Sequence, residues 1–298
     1  MSLTTPAEKP SAAPARKVTM PELSSMKRQG TPITSLTAYD YPTARLADEA
    51  GVDFILVGDS LANAVLGQPN TLAVTVDEMI YHSRAVARAI QRALLVVDMP
   101  FGSYHTSVEQ GVSNAIRFIK EGGAEAVKVE GPRTALVRAL TEAEIPVVAH
   151  LGLTPQSLHR MGGYSVQARN SAAIESLRTA ARDLAEAGAG AVVLEGVPRE
   201  VATLITRELP IPTIGIGAGP DTDGQVLVFH DLATLTFAPA AKFVRRYCDA
   251  GSLLRSAIAS YCDDVRSRQF PSDEESYHLP KAERQAIEAL QSPGAQKE

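Results

Sequence analysis

A unit that recurs three times limits what this 298-residue chain can fold into. Its copies are Ala47-Asp48-Glu49-Ala50-Gly51-Val52-Asp53-Phe54, Ile119-Lys120-Glu121-Gly122-Gly123-Ala124-Glu125-Ala126 and Leu184-Ala185-Glu186-Ala187-Gly188-Ala189-Gly190-Ala191. Each is a helix end closed by a glycine, which suits the left-handed position just past the last turn. Each then enters an apolar strand after about two residues, a usual helix-to-strand loop. Eight short apolar stretches are strand candidates: 33–38, 54–58, 94–98, 126–130, 146–150, 191–195, 213–216 and 226–230. Most lack a polar face of period two, as expected of strands covered on both sides. Helical patterns over 42–49, 76–92, 108–121, 134–143, 172–187 and 199–208 separate most of them. This alternation points to an α/β fold, a (β/α)8 TIM barrel. A doubly wound open sheet is the rival, but it usually has fewer strands and a glycine-rich turn after the first. Here the first strand runs into Thr37-Ala38-Tyr39-Asp40-Tyr41-Pro42 instead.

The flanks are read separately. Residues 1–17 form a Pro/Ala/Thr-rich tail expected to be disordered, the barrel domain spans 18–271, and 272–298 is a polar C-terminal extension. Thr19-Met20-Pro21-Glu22 reads as a helix start, with Thr as cap and Pro and Glu in the first turn. A long helix is expected over 242–268, broken by Phe270-Pro271-Ser272, with one more amphipathic stretch over 281–291. A net charge of −5 without a basic run argues against nucleic acid as a partner. No apolar run approaches the roughly 20 residues that cross a bilayer, so no membrane partner is expected. The N-terminus has no apolar secretory core. Cys248 and Cys262 show no metal-ligand spacing, which fits free thiols in a cytoplasmic protein.

The strand ends carry the chemistry, because a barrel builds its site at the C-terminal ends of its strands. The second strand ends Gly58-Asp59-Ser60, the third Val97-Asp98-Met99-Pro100, and the fourth with Lys128 and Glu130. The fifth ends at His150, the sixth at Glu195, and the eighth at Phe229-His230-Asp231. Lys128 and Glu130, two residues apart on a strand, share a face. Buried charges must be paired or bind a cation, and one lysine cannot neutralise four carboxylates. Asp59, Asp98 and Glu130 on three adjacent strands are hard oxygen donors that suit Mg²⁺. Two direct carboxylates with a third acting through water would suffice. A hydrogen-bonded lattice that merely ties the loops down is the alternative. A lone His such as His150 is more often a bonded core or loop residue, and as a metal ligand it would need a neutral imidazole. Glu195 follows the buried run Val192-Val193-Leu194, where a carboxylate is poorly solvated and correspondingly basic.

Several strings together carry a resemblance. Gly58-Asp59-Ser60-Leu61, Val97-Asp98-Met99-Pro100-Phe101, Val127-Lys128-Val129-Glu130-Gly131, His150-Leu151-Gly152-Leu153-Thr154-Pro155-Gln156-Ser157 and Gly215-Ile216-Gly217-Ala218-Gly219 resemble the ketopantoate hydroxymethyltransferase family, as do Gly162-Gly163-Tyr164 and Asp223-Gly224-Gln225. Ala62-Asn63 departs from the Gly-Met pair of many members without touching a functional position. The resemblance implies a barrel of the phosphoenolpyruvate-mutase/isocitrate-lyase type. It implies transfer of a hydroxymethyl group from 5,10-methylenetetrahydrofolate, as co-substrate, to 3-methyl-2-oxobutanoate, a 2-oxo acid, on the way to pantothenate. It further implies Mg²⁺ held by Asp59, Asp98 and Glu130, and Glu195 as proton acceptor. The substrate contacts expected with it are Asp59, Ser60, Asp98, Lys128 and His150, in a homo-oligomer that the resemblance makes a decamer. Two other readings stand beside it: a Mg²⁺-dependent 2-oxo acid lyase of the same superfamily, and a non-catalytic barrel acting as a binding subunit. Such lyases typically carry a cysteine in the loop after the fourth strand, where this chain has Gly131-Pro132-Arg133.

Overall fold

The computed structural model describes residues 16–291, so residues 1–15 of the expected tail lie outside it. Strands β1 (Ile33–Thr37), β2 (Phe54–Val57), β3 (Leu94–Asp98), β4 (Ala126–Glu130), β5 (Val147–Gly152), β6 (Ala191–Glu195), β7 (Thr213–Ile216) and β8 (Gly224–Leu227) close into a barrel in chain order. Every pairing is parallel, including β8 with β1. The expected barrel is therefore the observed one.

Side chains alternate across a strand, and that alternation divides the core. Phe54 and Leu56, Leu94 and Val96, Ala126, Val148, Ala191 and Val193, Ile214 and Val226 pack together inside the barrel. The residues between them, such as Ile55, Val57, Leu95, Val97, Val127, Val129, Val192 and Leu194, pack outward with the surrounding helices. Val18, Met20 and Leu23 join the inner group, so helix Met20–Gln29 plugs the N-terminal end. The same parity carries Asp98, Lys128, Glu130, His150 and Glu195 onto the inner face at the other end.

Local chemistry sets the element limits. Asp40, Thr75, Ser107 and Asn170 each cap a helix by accepting a backbone N–H three residues on. The repeated helix ends close as expected, with Gly51 at φ +88° and Gly188 at φ +104°. The helix expected over 76–92 stops at Ala89, because Asp48 accepts the N–H groups of Gln91, Arg92 and Ala93. The strand expected over 226–230 runs instead from Gly224 to Leu227. Asp223 fixes that earlier start by accepting the N–H of Thr213 at 2.8 Å. His230 thus lies in the short helix Phe229–Leu232 and not on a strand. The compact unit holding the barrel ends at Cys248, and a second unit begins at Asp249, where the sequence reading carried the barrel on to 271. The helix expected over 242–268 is Ala250–Arg266, started by Asp249 accepting the Ser252 N–H. Cys248 and Cys262 are free thiols. Among the described residues no helix is long and apolar enough to cross a membrane.

Two clamps of one design hold neighbouring strands at the N-terminal end. Asp53 accepts from the Thr34 N–H and hydroxyl, both at 2.9 Å, and Asp223 does the same to Thr213 at 2.8 and 3.0 Å. Arg92 adds a bond of 2.6 Å to the buried Asp53 carboxylate. Asp53→Ala removes the bonds to the Thr34 N–H and hydroxyl and to Arg92 together, and is expected to cost about 3 kcal/mol. Thermal denaturation should then show Tm lower by about 6–12 °C. An unchanged Tm would remove the clamp from any role in holding the barrel closed.

Candidate active site

The strand register aligns the polar residues at the mouth. Asp98 lies level with Lys128, Glu130 with His150, and Gly152 with Glu195. Gly152 is required at its place: φ is +94°, and a Cβ there would stand 2.2 Å from the Glu195 carbonyl oxygen. The tight approach of β5 and β6 brings Glu195 up to His150.

From these positions one connected group forms. The Lys128 ammonium donates to Asp98 Oδ1 at 2.5 Å, and the Asp59 N–H donates to Asp98 Oδ2 at 3.0 Å. Glu130 Oε1 lies 3.2 Å from His150 Nδ1, and His150 Nε2 lies 3.2 Å from Glu195 Oε2. Neither of these two contacts is aligned as a hydrogen bond, so Glu130 Oε1 is a buried oxygen with an unfilled lone pair. Ser60, next to Asp59, shares a 2.8 Å hydrogen bond with the Tyr39 hydroxyl. All the site residues expected from the sequence are thus brought to one end of the barrel. Asp59, Asp98, Lys128, Glu130 and His150 are buried; Glu195 is the open carboxylate, its side chain 16% exposed.

Burial and mutual charge set the protonation states. Burial first, then the charges of Asp98 and Glu130, raise the Asp59 carboxyl well above its ordinary value, against Lys128 and Gln156. Burial opposes the Lys128 ammonium, but Asp98, Glu130 and Asp59 hold it above its ordinary value. Burial also opposes ionised Glu130, yet its contact with His150 and the Lys128 charge bring it below. Burial and Lys128 push the His150 imidazolium down; Glu130 and Glu195 outweigh them and raise it to about 9. Raised in this way, His150 favours the imidazolium form between two glutamates. It also places a cation beside Glu195, where the sequence suggested none.

Residues that the sequence reading gave no role complete the group. Gln156 donates through Nε2 to Asp59 Oδ2 at 2.8 Å, and its backbone N–H donates to Glu130 Oε2 at 3.0 Å. The Tyr104 hydroxyl donates to Gln156 Oε1 at 2.6 Å. Tyr164 is half-exposed; its phenol is raised by burial and then by the charges of Asp59, Glu195 and Glu130, which places it at the same mouth. Gln156 stood inside a string already singled out, but nothing in its spacing marked it. Tyr104 had no signal.

Among the described residues no group of three or more His, Cys, Asp and Glu side chains is disposed to hold a metal ion by itself. The donor chemistry fits Mg²⁺ in the sparser way that ion prefers, with one or two carboxylates and retained waters. The unfilled oxygen of Glu130 and the mutual repulsion felt at Asp59 are both relieved by a cation beside them. Asp59 and Asp98 are the residues that would hold such a cation, with Glu130 beside them.

The model of the family described as ketopantoate hydroxymethyltransferase matches residues 17–273. The chain is 60% identical over 278 residues to the 3-methyl-2-oxobutanoate hydroxymethyltransferase of Koribacter versatilis (strain Ellin345), covering 93% of this chain and 94% of that one. It is 54% identical over 265 residues to the protein of the same name from Pelobacter propionicus, covering 88% and 98%. Solved structures share the fold at low identity. A 2,3-dimethylmalate lyase of the PEP mutase/isocitrate lyase superfamily has a TM-score of 0.56 at 17% identity, covering 93% of this chain and 97% of that one. A phosphonopyruvate hydrolase in complex with oxalate and Mg²⁺ has a TM-score of 0.54 at 16% identity, covering 92% and 96%.

Proposed function

Because this chain belongs to the ketopantoate hydroxymethyltransferase family, we propose that it transfers a hydroxymethyl group from 5,10-methylenetetrahydrofolate to 3-methyl-2-oxobutanoate, with Glu195 as the base. The observation that carries the mechanism is the inner-face group in which one carboxylate, Glu195, stays open beside a buried, charge-balanced cluster. Asp59 and Asp98 would hold Mg²⁺, with Glu130 in support. Bound there, the ion would supply Lewis-acid polarisation of a 2-oxo acid's keto oxygen.

The chain's own residues do the rest. Lys128 spends one N–H on Asp98, and its other two are available to the substrate carboxylate, together with the Ser60 hydroxyl. Glu195 removes the C3 proton as a general base. His150 Nε2 lies 3.2 Å from the Glu195 carboxylate and sets a polar neighbour beside the base. Opening of the folate's N10–CH2 bond leaves an N5 iminium, whose methylene carbon the C3 carbanion equivalent attacks. One C–H bond is lost and one C–C bond forms; the N5–CH2 bond is then replaced by a C–O bond from water, releasing tetrahydrofolate, whose two nitrogens take up the C3 proton and the second proton of water. The Lys128–Asp98 pair keeps positive charge at the carboxylate end of the substrate, away from the base.

The same reading carries a cytoplasmic homo-oligomer. The exposed apolar residues Leu253, Leu254, Ile258 and Tyr261 of helix Ala250–Arg266 support assembly with further copies. The deciding experiment is turnover. Purified protein given 3-methyl-2-oxobutanoate and 5,10-methylenetetrahydrofolate should form 2-dehydropantoate in the presence of Mg²⁺ and stop when a chelator is added. Absence of product with both substrates and Mg²⁺ would refute the proposal.

A further inference from the structure

The loop after β5 reaches back to the acids of β2 and β4. Pro155 starts a short 3-10 turn, Pro155–Ser157, and has no N–H of its own. The first free N–H of the turn is that of Gln156, and it donates to Glu130 Oε2 at 3.0 Å. The Gln156 side chain, also buried, crosses to the other carboxylate, donating to Asp59 Oδ2 at 2.8 Å and to the Met99 carbonyl at 3.0 Å. One residue therefore ties two of the three acids together, one by backbone and one by side chain.

An amide can face either way, and here its direction is decided from outside. The Glu130 backbone N–H donates to the Tyr104 oxygen at 3.1 Å. An N–H can only donate, so that oxygen accepts. The single Tyr104 O–H is then left for Gln156, at 2.6 Å. Its partner must be an oxygen, so the NH₂ end of Gln156 faces Asp59 Oδ2 and the Met99 carbonyl. Every donor in this chain has one acceptor, and the order runs one way from the β4 backbone to Asp59.

We infer that Gln156 is a positioning residue that holds Asp59 by Oδ2 and leaves Oδ1 for the cation, and that Tyr104 sets the direction of the Gln156 amide. This rests on the reading that the acid group binds a divalent cation. Without the Tyr104 hydroxyl the amide is free to turn its oxygen toward Asp59, opposing lone pair to lone pair. Without the Gln156 amide, Asp59 is free to rotate.

Direct binding of Mn²⁺, a paramagnetic substitute for Mg²⁺, tests this with no turnover involved. The full chain, Gln156→Leu, Tyr104→Phe and the double variant are titrated, and free Mn²⁺ is read by electron paramagnetic resonance. Tm is measured on each sample. Both single variants should bind about 10–100-fold more weakly than the unaltered chain, the range typical of lost outer-shell partners. The double variant should be no weaker than Gln156→Leu alone, because Tyr104 acts through Gln156. A packing defect would lower Tm and leave the dissociation constant of the folded protein unchanged. If Gln156→Leu fails to fold, Tyr104→Phe, which lacks a single oxygen, carries the test. Folded single variants with unaltered Mn²⁺ affinity would overturn the assignment, and additive losses would overturn the link from Tyr104. An unaltered chain that binds no Mn²⁺ would overturn the cation reading and this inference with it.

Discussion

Replacing Glu195 with Gln is expected to lower turnover by about 10²–10⁴-fold, the usual contribution of a positioned general base. The change is nearly isosteric, so the mouth keeps its shape and only the proton acceptor goes. Glu195 is suited to the role by where β6 ends. The apolar run before it stays in the barrel core, while the carboxylate emerges at the mouth, held 3.2 Å from His150. The other carboxylates are closed in and already engaged by Lys128, Gln156 or His150. Steady-state kinetics should show the loss in kcat with little change in KM, because Glu195 is not placed to bind the 2-oxo acid's carboxylate. A variant with unimpaired kcat would take Glu195 out of the reaction.

The second large effect is on stability. Lys128 and Asp98 form a buried pair, their side chains 5% and 4% exposed. Lys128→Met leaves Asp98 beside Glu130 and Asp59 with no ammonium to balance them. Breaking a buried pair in this way costs about 3–5 kcal/mol, which lowers Tm by about 6–20 °C in a domain of this size. The loss comes from stranded charge and not from lost packing, and a double variant separates the two. Lys128→Met combined with Asp98→Asn removes the charge and should regain most of the stability, while activity stays absent. Equal Tm values for the unaltered chain and Lys128→Met would contradict the account, as would a double variant less stable than the single.

Much of this architecture was legible from periodicity. The helix-end glycines and apolar strands located the wall of the barrel, strand parity put Lys128 and Glu130 on one face, and position at the strand ends grouped them with Asp59, Asp98, His150 and Glu195. Those features depend on neighbours a few residues apart. What escaped depends on partners far away in sequence. Helix Val76–Ala89 ends early because of Asp48, and β8 begins early because of the clamp between Asp223 and Thr213. His150 reads as an ordinary buried histidine until two glutamates from other strands flank it. Gln156 is one polar residue in a loop, and only the closure of the barrel sets it against Asp59, 97 positions away.

The central claim is that the barrel mouth removes the C3 proton of a 2-oxo acid through Glu195 with a divalent cation present. Exchange of that proton measures the step alone, with no folate and no net reaction. In deuterated water with Mg²⁺, 3-methyl-2-oxobutanoate should lose its C3 proton signal by nuclear magnetic resonance when the protein is added. The exchange should stop with a chelator, and it should be absent in Glu195→Gln even though that variant still binds the acid. Exchange that persists in Glu195→Gln, or that proceeds equally well under chelation, would contradict the account.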